Sequence, residues 1–383
     1  MADSVTKEPT IRIYSVNPEL NHDVCMSMLA AAGIYLVLDV NSPLPDHHLN
    51  RYEPWQSYNA RYLENIFKIV EQFSYYNNTL GFFAGNEVIN DDISASNSPV
   101  YVKAVIRDMK EYIAHNSPRI IPVGYSAADD LKYRLSLSSY LECMDDTMAE
   151  TVDFYGVNSY QWCGQQSFHT SGYDVLVNDY SAFSKPVFFS EFGCNEVTPR
   201  IFEEILALYS NDMVDIFSGG LVYEFTQEPN NYGLVKVLEN GNIELLSDFM
   251  ALQDQYLRLP PLDYFHIAQS MRKNSKELQQ AITLHKQMVP VCEDEYHNLD
   301  VSRGVPVSIA SELIENGVKV RQGKYVPLST EQRTSQFDVF QGGSMLLKNP
   351  EFRITVDYMS GTEIQRAKGF QNSMYYQFLQ PLY

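Results

Sequence analysis

The chain has 383 residues, of which 45% are hydrophobic and 20% charged, and its formal net charge is −20. That length suits two domains, or one large domain with an appendage. No apolar run reaches the roughly 18 residues that span a bilayer, and the acidic balance argues against nucleic acid or an anionic membrane surface as a partner. Residues 1–10 hold no apolar segment, so they read as a disordered N-terminus rather than a secretory leader. The far end, Gln377 to Tyr383, shows no hydrophobic anchor tail.

Seven short apolar runs follow, spaced widely enough for helices between them. They are Ile11–Val16, Ile34–Val40, Leu80–Gly85, Ile120–Tyr125, Asp153–Asn158, Pro186–Ser190 and Gly220–Phe225. Runs this apolar predict strands buried on both faces, as in a parallel sheet. Between them, Tyr58, Tyr62, Ile66, Ile69, Val70 and Phe73 mark one helical face. Ser98-Pro99 reads as an N-cap with a first-turn proline, and Thr198-Pro199 repeats that signal. Strand alternating with helix predicts an α/β fold. A (β/α)8 barrel needs eight strands, so one is hidden or the chain opens after the first unit. An open doubly wound sheet is the alternative, although no glycine-rich phosphate loop follows the first strand. Character changes after Leu259-Pro260-Pro261. Residues 266–290 carry a polar helical pattern, and Val305–Val307 and Phe352–Val356 look β-like. The expected organisation is therefore a barrel over 11–260 and an unassigned α+β region over 261–383.

Two strand ends carry carboxylates. Leu80–Gly85 runs into Asn86-Glu87, and Pro186–Ser190 runs into Glu191. Barrel chemistry collects at the C-terminal ends of strands, and a carboxylate directly after an apolar run is costly unless it is satisfied or used. Two such acids facing one cleft suit glycosidic bond cleavage, one giving a proton and the other attacking the anomeric carbon. Either could instead cap a helix or pair with an arginine. Five cysteines, Cys25, Cys143, Cys163, Cys194 and Cys292, form no Cys-x-x-Cys pair, and buried thiols are the plain reading.

Residues 11 to about 258 resemble the fungal glycoside hydrolase family 72 β-1,3-glucanosyltransferases. The resemblance lies in Ile11–Tyr14, Leu38-Asp39-Val40, Asn78–Val88, Ile121–Asp129, Asp153–Gly164, Ser190–Cys194 and Gly219–Phe225, in family order. It implies a (β/α)8 TIM barrel lacking its first β/α unit, with Glu87 as acid/base and Glu191 as nucleophile. It further implies Asn86 on the sugar 2-hydroxyl, Tyr160 beside Glu191, and Tyr14, Asp39, Tyr223 and Tyr232 along a glucan cleft. Barrel packing for the tyrosines, and an ion pair with Arg12 for Asp39, are the competing expectations. Cys163 and Cys194 match a family disulfide, Cys25 matches a position whose partner lies upstream, and Cys143 has Cys292 as its candidate partner. The partners implied are β-1,3-glucan donor and acceptor chains, with no metal or other cofactor, at a cell surface. The absence of a leader conflicts with that compartment and suggests a shortened chain. Plain endo-hydrolysis, or a catalytically inactive glucan-binding protein, are the other expectations. Retention requires carboxyl groups about 5–5.5 Å apart.

Overall fold

The computed structural model describes residues 10–260, 289–354 and 356–359. Seven parallel strands make one sheet: β1 (Thr10–Ile13), β2 (Tyr35–Asp39), β3 (Thr79–Asn86), β4 (Val123–Ala128), β5 (Phe154–Asn158), β6 (Val187–Phe192) and β7 (Phe217–Val222). Their spatial order follows their chain order without a swap. That order belongs to a barrel and excludes the doubly wound sheet, whose strand order reverses at a switch point. The barrel is nearly closed. β1 and β7 are its edges and are not hydrogen-bonded to each other, yet Arg12 of β1 reaches the Ser190 carbonyl of β6 at 3.3 Å.

Helix Ala60–Phe73 forms where the sequence pattern placed it. Asn59 accepts from the Tyr62 amide at its start, and Tyr62, Leu63, Ile66, Phe67, Ile69, Val70 and Phe73 are buried against the sheet. Helix Pro99–Asn116 also begins at its proline, but Ser98 does not cap it. Its hydroxyl donates to the Arg51 carbonyl instead. The second proline signal fails. The helix there is Glu204–Leu208, and the Thr198–Pro199 peptide is cis. Arg200 explains this start: its guanidinium turns inward onto the carbonyls of Gly193 and Tyr223 and onto Asp248. Those bonds hold 198–203 as a loop.

At three strand ends the register slips: between β3 and β4 after Phe83, between β5 and β6 after Val157, and between β6 and β7 after Phe189. Irregular pairing of this kind re-aims side chains, and here it occurs where the functional groups sit.

The predicted N-terminal segment lies outside the described residues except for Thr10, which opens β1. The 266–290 helical pattern lies outside them up to residue 288. Neither Val305–Val307 nor Phe352–Ile354 is a strand. In the first, a side chain of the barrel takes the backbone bond, since Arg107 donates to the Pro306 carbonyl at 2.8 Å. The tail's strands are β10 (Val339–Gln341) and β11 (Ser344–Leu347), and β10 pairs in parallel with β9 (Ile243–Leu245), beside β8 (Val235–Val237).

The tail also clasps the outside of the barrel. Arg321 pairs with buried Asp23, Gln322 donates to Glu71 at 2.7 Å, and the Tyr325 hydroxyl donates to Asn78 Oδ1 at 2.7 Å while accepting from the Asn78 amide. Tyr325→Phe leaves both Asn78 groups buried without that partner. It is expected to cost about 1–3 kcal/mol, read by urea unfolding. An unchanged midpoint would show that the clasp contributes nothing to stability. Among the described residues no helix is long and apolar enough to cross a membrane.

Candidate active site

The C-terminal strand ends converge on one polar cluster. Arg12, on β1, is its hub. It binds Asp39 of β2 through two hydrogen bonds of 2.8 and 3.0 Å, Asn86 Oδ1 at 2.9 Å and Glu191 Oε1 at 3.1 Å. Its guanidinium also lies over the rings of Tyr14 and Phe83. A planar fork with five N–H donors suits this many acceptors, which an ammonium could not serve.

Glu191 lies at the end of β6 and is only 8% exposed. Oε1 accepts from Arg12 and from the Tyr14 hydroxyl at 2.9 Å, and Oε2 accepts from the Tyr160 hydroxyl at 2.7 Å. Burial raises its pKa above the ordinary carboxylate range. The Arg12 charge and the two tyrosine hydroxyls oppose that rise, and the Glu87 charge adds to it. Burial also pushes the Tyr14 and Tyr160 hydroxyls far up, helped by the Glu191 charge. Both therefore stay protonated and act as donors to it.

Glu87 follows β3 directly. Its φ of +47° is unusual for a residue with a side chain, and its amide is anchored to the Ser126 carbonyl at 2.8 Å. Asn158, at the end of β5, donates through Nδ2 to Glu87 Oε1 at 2.8 Å and to Asn86 Oδ1 at 3.1 Å. Arg12 can only donate, so the Asn86 atom it touches is the oxygen. The Asn158 atom touching that oxygen is then the nitrogen. Asn86 Nδ2 is left without a partner among the described residues.

Four tyrosines line the approach. Tyr14, Tyr160 and Tyr232 each set an edge against a neighbour, with ring centroids 6.1 Å (Tyr14–Tyr223), 6.4 Å (Tyr160–Tyr223), 5.7 Å (Tyr160–Tyr232) and 5.2 Å (Tyr223–Tyr232) apart. Burial and the adjacent Glu224 push the Tyr223 hydroxyl up to about 12. Arg200, 3% exposed, binds the carbonyls of Gly193, Tyr223, Tyr232 and Gly233, and it pairs with the partly buried Asp248 at 2.6 Å. It thereby fixes the backbone that carries two of the tyrosines. The Cys163–Cys194 disulfide joins the loops after β5 and β6, and Cys143–Cys292 ties the tail to the barrel. Cys25 is exposed and carries no disulfide.

Tyr14, Asn86, Glu87, Tyr160 and Glu191 thus meet in one network, and Tyr223 and Tyr232 stand beside it. Asp39 is different. It is 3% exposed with both oxygens on Arg12, so it acts on the site through that arginine. Sequence reasoning missed Asn158 and Arg200. Asn158 ends an apolar run as the two glutamates nearly do, which was a usable signal, whereas nothing local marks Arg200. As for metals, the group Cys163, Cys194 and Glu196 is the one cluster of suitable ligands among the described residues, and its two sulfurs are spent in the disulfide.

Comparison with known proteins gives a consistent neighbourhood. The family profile described as glucanosyltransferase, glycoside hydrolase family 72, matches residues 4–260. The 1,3-β-glucanosyltransferase Gas4 of Saccharomyces cerevisiae is 57% identical over 333 residues, covering 86% of this chain and 68% of its own length. The 1,3-β-glucanosyltransferase gel2 of Aspergillus fumigatus is 54% identical over 250 residues, covering 65% and 52%. A solved structure of a Saccharomyces cerevisiae Gas2 variant with laminaritetraose and laminaripentaose superposes with a TM-score of 0.62 at 43% identity, over 66% of this chain and 56% of that one. The chain thus spans about two thirds of the first relative and about half of the others.

Proposed function

This chain belongs to glycoside hydrolase family 72, the glucanosyltransferases, and from that premise we propose that it cleaves an internal β-1,3 linkage of a glucan and transfers the fragment to a second glucan. The observation that carries the reading is the unequal treatment of the two acids. Glu191 is buried and bound by three donors, as a nucleophile held in one orientation must be. Glu87 is half-buried and keeps one oxygen unengaged, as a group that exchanges protons must.

The chemistry follows from those roles. Glu191 attacks the anomeric carbon, the glycosidic bond breaks, and Glu87 gives its proton to the departing oxygen. The reducing-end fragment leaves, and a glucosyl ester on Glu191 remains. The 3-hydroxyl of an acceptor's non-reducing end then attacks, its proton passes to Glu87, and the Glu191 carboxylate is released. Two inversions give retention. Asn86, fixed through its oxygen by Arg12 and Asn158, offers its Nδ2 to the sugar 2-hydroxyl. Transfer over hydrolysis requires acceptor sugars to outcompete water, and the tyrosine wall supplies flat apolar faces with polar edges for them. We assign this work to residues 11–260 and read the tail as a brace on it. The two disulfides fit an oxidising setting such as the cell surface.

The test is incubation with reduced laminari-oligosaccharides. Products longer than the donor are expected. Shorter products alone would mean a hydrolase, and binding without turnover would mean an inactive glucan-binding protein.

A further inference from the structure

Behind Glu87 lies a buried polar device that ordinary packing does not require. Asn158, 4% exposed, engages both its amide nitrogen and its amide oxygen. Nδ2 holds Glu87 Oε1 and Asn86 Oδ1. Oδ1 faces two serine hydroxyls, Ser126 Oγ at 3.0 Å and Ser190 Oγ at 2.8 Å, and these lie 2.9 Å from each other. Two hydroxyl protons cannot serve three contacts at once, but every chemically sensible arrangement sends at least one to Asn158 Oδ1. Gly156 makes the arrangement possible, because a Cβ there would stand 2.5 Å from Ser190 Oγ. Three strands thus contribute a glycine and two hydroxyls to the aim of one amide. Buried polar networks are costly when a member is left without a partner, and here Asn158, Ser126 and Ser190 each have at least one.

We infer that Asn158 is a positioning residue that reserves Oε1 of Glu87 for the protein, so that Oε2 carries the proton in both halves of the reaction. The inference deepens the double-displacement reading above and rests on it. Oε2 has no partner among the described residues. In the first half, the bond from the anomeric carbon to the leaving oxygen breaks and the Oε2 proton moves to that oxygen. In the second, the acceptor hydroxyl forms its bond to the anomeric carbon and its proton moves to Oε2. A carboxyl free to rotate would present the wrong oxygen for part of the time. Around Glu87 stand Glu191 from β6 and Tyr125 from β4, both within reach of its charge. Arg12 from β1 stands behind Asn86, with Asp39 of β2 paired to it. None of these holds Oε1.

The test compares leaving groups. With laminari-oligosaccharide donors, Asn158→Ala should lose about 100-fold in kcat, the scale of a misplaced acid/base. With 2,4-dinitrophenyl β-laminaribioside, whose phenolate leaves without a proton, the first burst should stay within about threefold of the unaltered protein. The covalent intermediate should then accumulate, and azide, which attacks without a base, should speed its breakdown and give a β-glycosyl azide. Ser190→Ala keeps Asn158 but loosens it, and should show a smaller loss with the same leaving-group dependence. It decides the matter if Asn158→Ala does not fold. Equal losses on both donors with no azide effect would overturn the inference while leaving the proposed function intact. An unaltered protein inert to both donors would overturn both.

Discussion

Glu191→Gln is expected to lower turnover of laminari-oligosaccharides by about 10⁴-fold or more, the scale seen when a covalent nucleophile is removed. The substitution preserves shape, so the tyrosine wall and Asn86 keep their places. What disappears is the charge that, in the proposed mechanism, attacks the anomeric carbon. Glucan affinity, measured by titration calorimetry on the folded variant, should therefore stay within about tenfold of the original. Turnover that survives the change would remove Glu191 from the chemistry. Loss of turnover together with loss of binding would point instead to collapse of the cleft.

Arg12→Ala carries the largest expected effect on stability. Asp39 is buried, and both of its oxygens rest on this guanidinium. Removing one partner of a buried pair costs about 3–5 kcal/mol, because the remaining charge stays in a medium that solvates it poorly. The pH dependence has a definite sign. Burial already raises the Asp39 carboxyl above its ordinary pKa, against the pull of Arg12. Without Arg12 it rises further. A carboxyl raised in the folded state favours folding while protonated and loses that contribution as pH climbs through its folded value. The penalty should therefore be greatest near neutrality and shrink on acidification. Asp39→Asn added to Arg12→Ala should recover part of it. A penalty independent of pH, read from urea unfolding at pH 7 and pH 4.5, would contradict the account.

The same substitution should also move the activity profile. In the proposed mechanism Glu191 must be ionised to attack, so activity is expected to rise with pH through its raised value. Arg12 lowers that value, and its removal should shift the acid limb to higher pH. A limb that stays in place would mean that Arg12 does not govern the nucleophile's ionisation.

Much of this arrangement was legible in the sequence because burial leaves a local record. Strands packed inside such a barrel are mostly apolar, so each of the seven overlaps an apolar run in the sequence, although β7 (Phe217–Val222) begins three residues before its run at Gly220, and a glutamate ending such a run stood out at 87 and 191. Helix Ala60–Phe73 was equally plain, since one face recurs every third or fourth residue. The record fails where a residue's role depends on groups far away in the chain. Thr198-Pro199 looks like a helix start, but Arg200 turns to carbonyls as distant as Gly233 and holds the segment open. Asp39 reads as a cleft residue or as an ion pair with equal ease, and only Arg12's position beside it resolves the choice. Asn158 looks like an ordinary strand end until Ser126 and Ser190, 32 residues away on either side, are seen to grip it. The tail misled for another reason. Its short apolar runs resemble strands, yet the Pro306 carbonyl accepts from Arg107 of the barrel, and the Phe352 amide donates to the Arg333 carbonyl instead of joining a strand.

The central claim is that Glu191 becomes covalently attached to sugar while Glu87 moves the proton. A 2-deoxy-2-fluoro laminari-oligosaccharide with a dinitrophenyl leaving group forms the ester readily and releases it slowly. Digestion of the trapped protein followed by mass spectrometry should find the added sugar on the peptide containing Glu191, and nowhere in the Glu191→Gln variant. An adduct on Glu87 or another residue, or release of an α-configured product without any adduct, would contradict it.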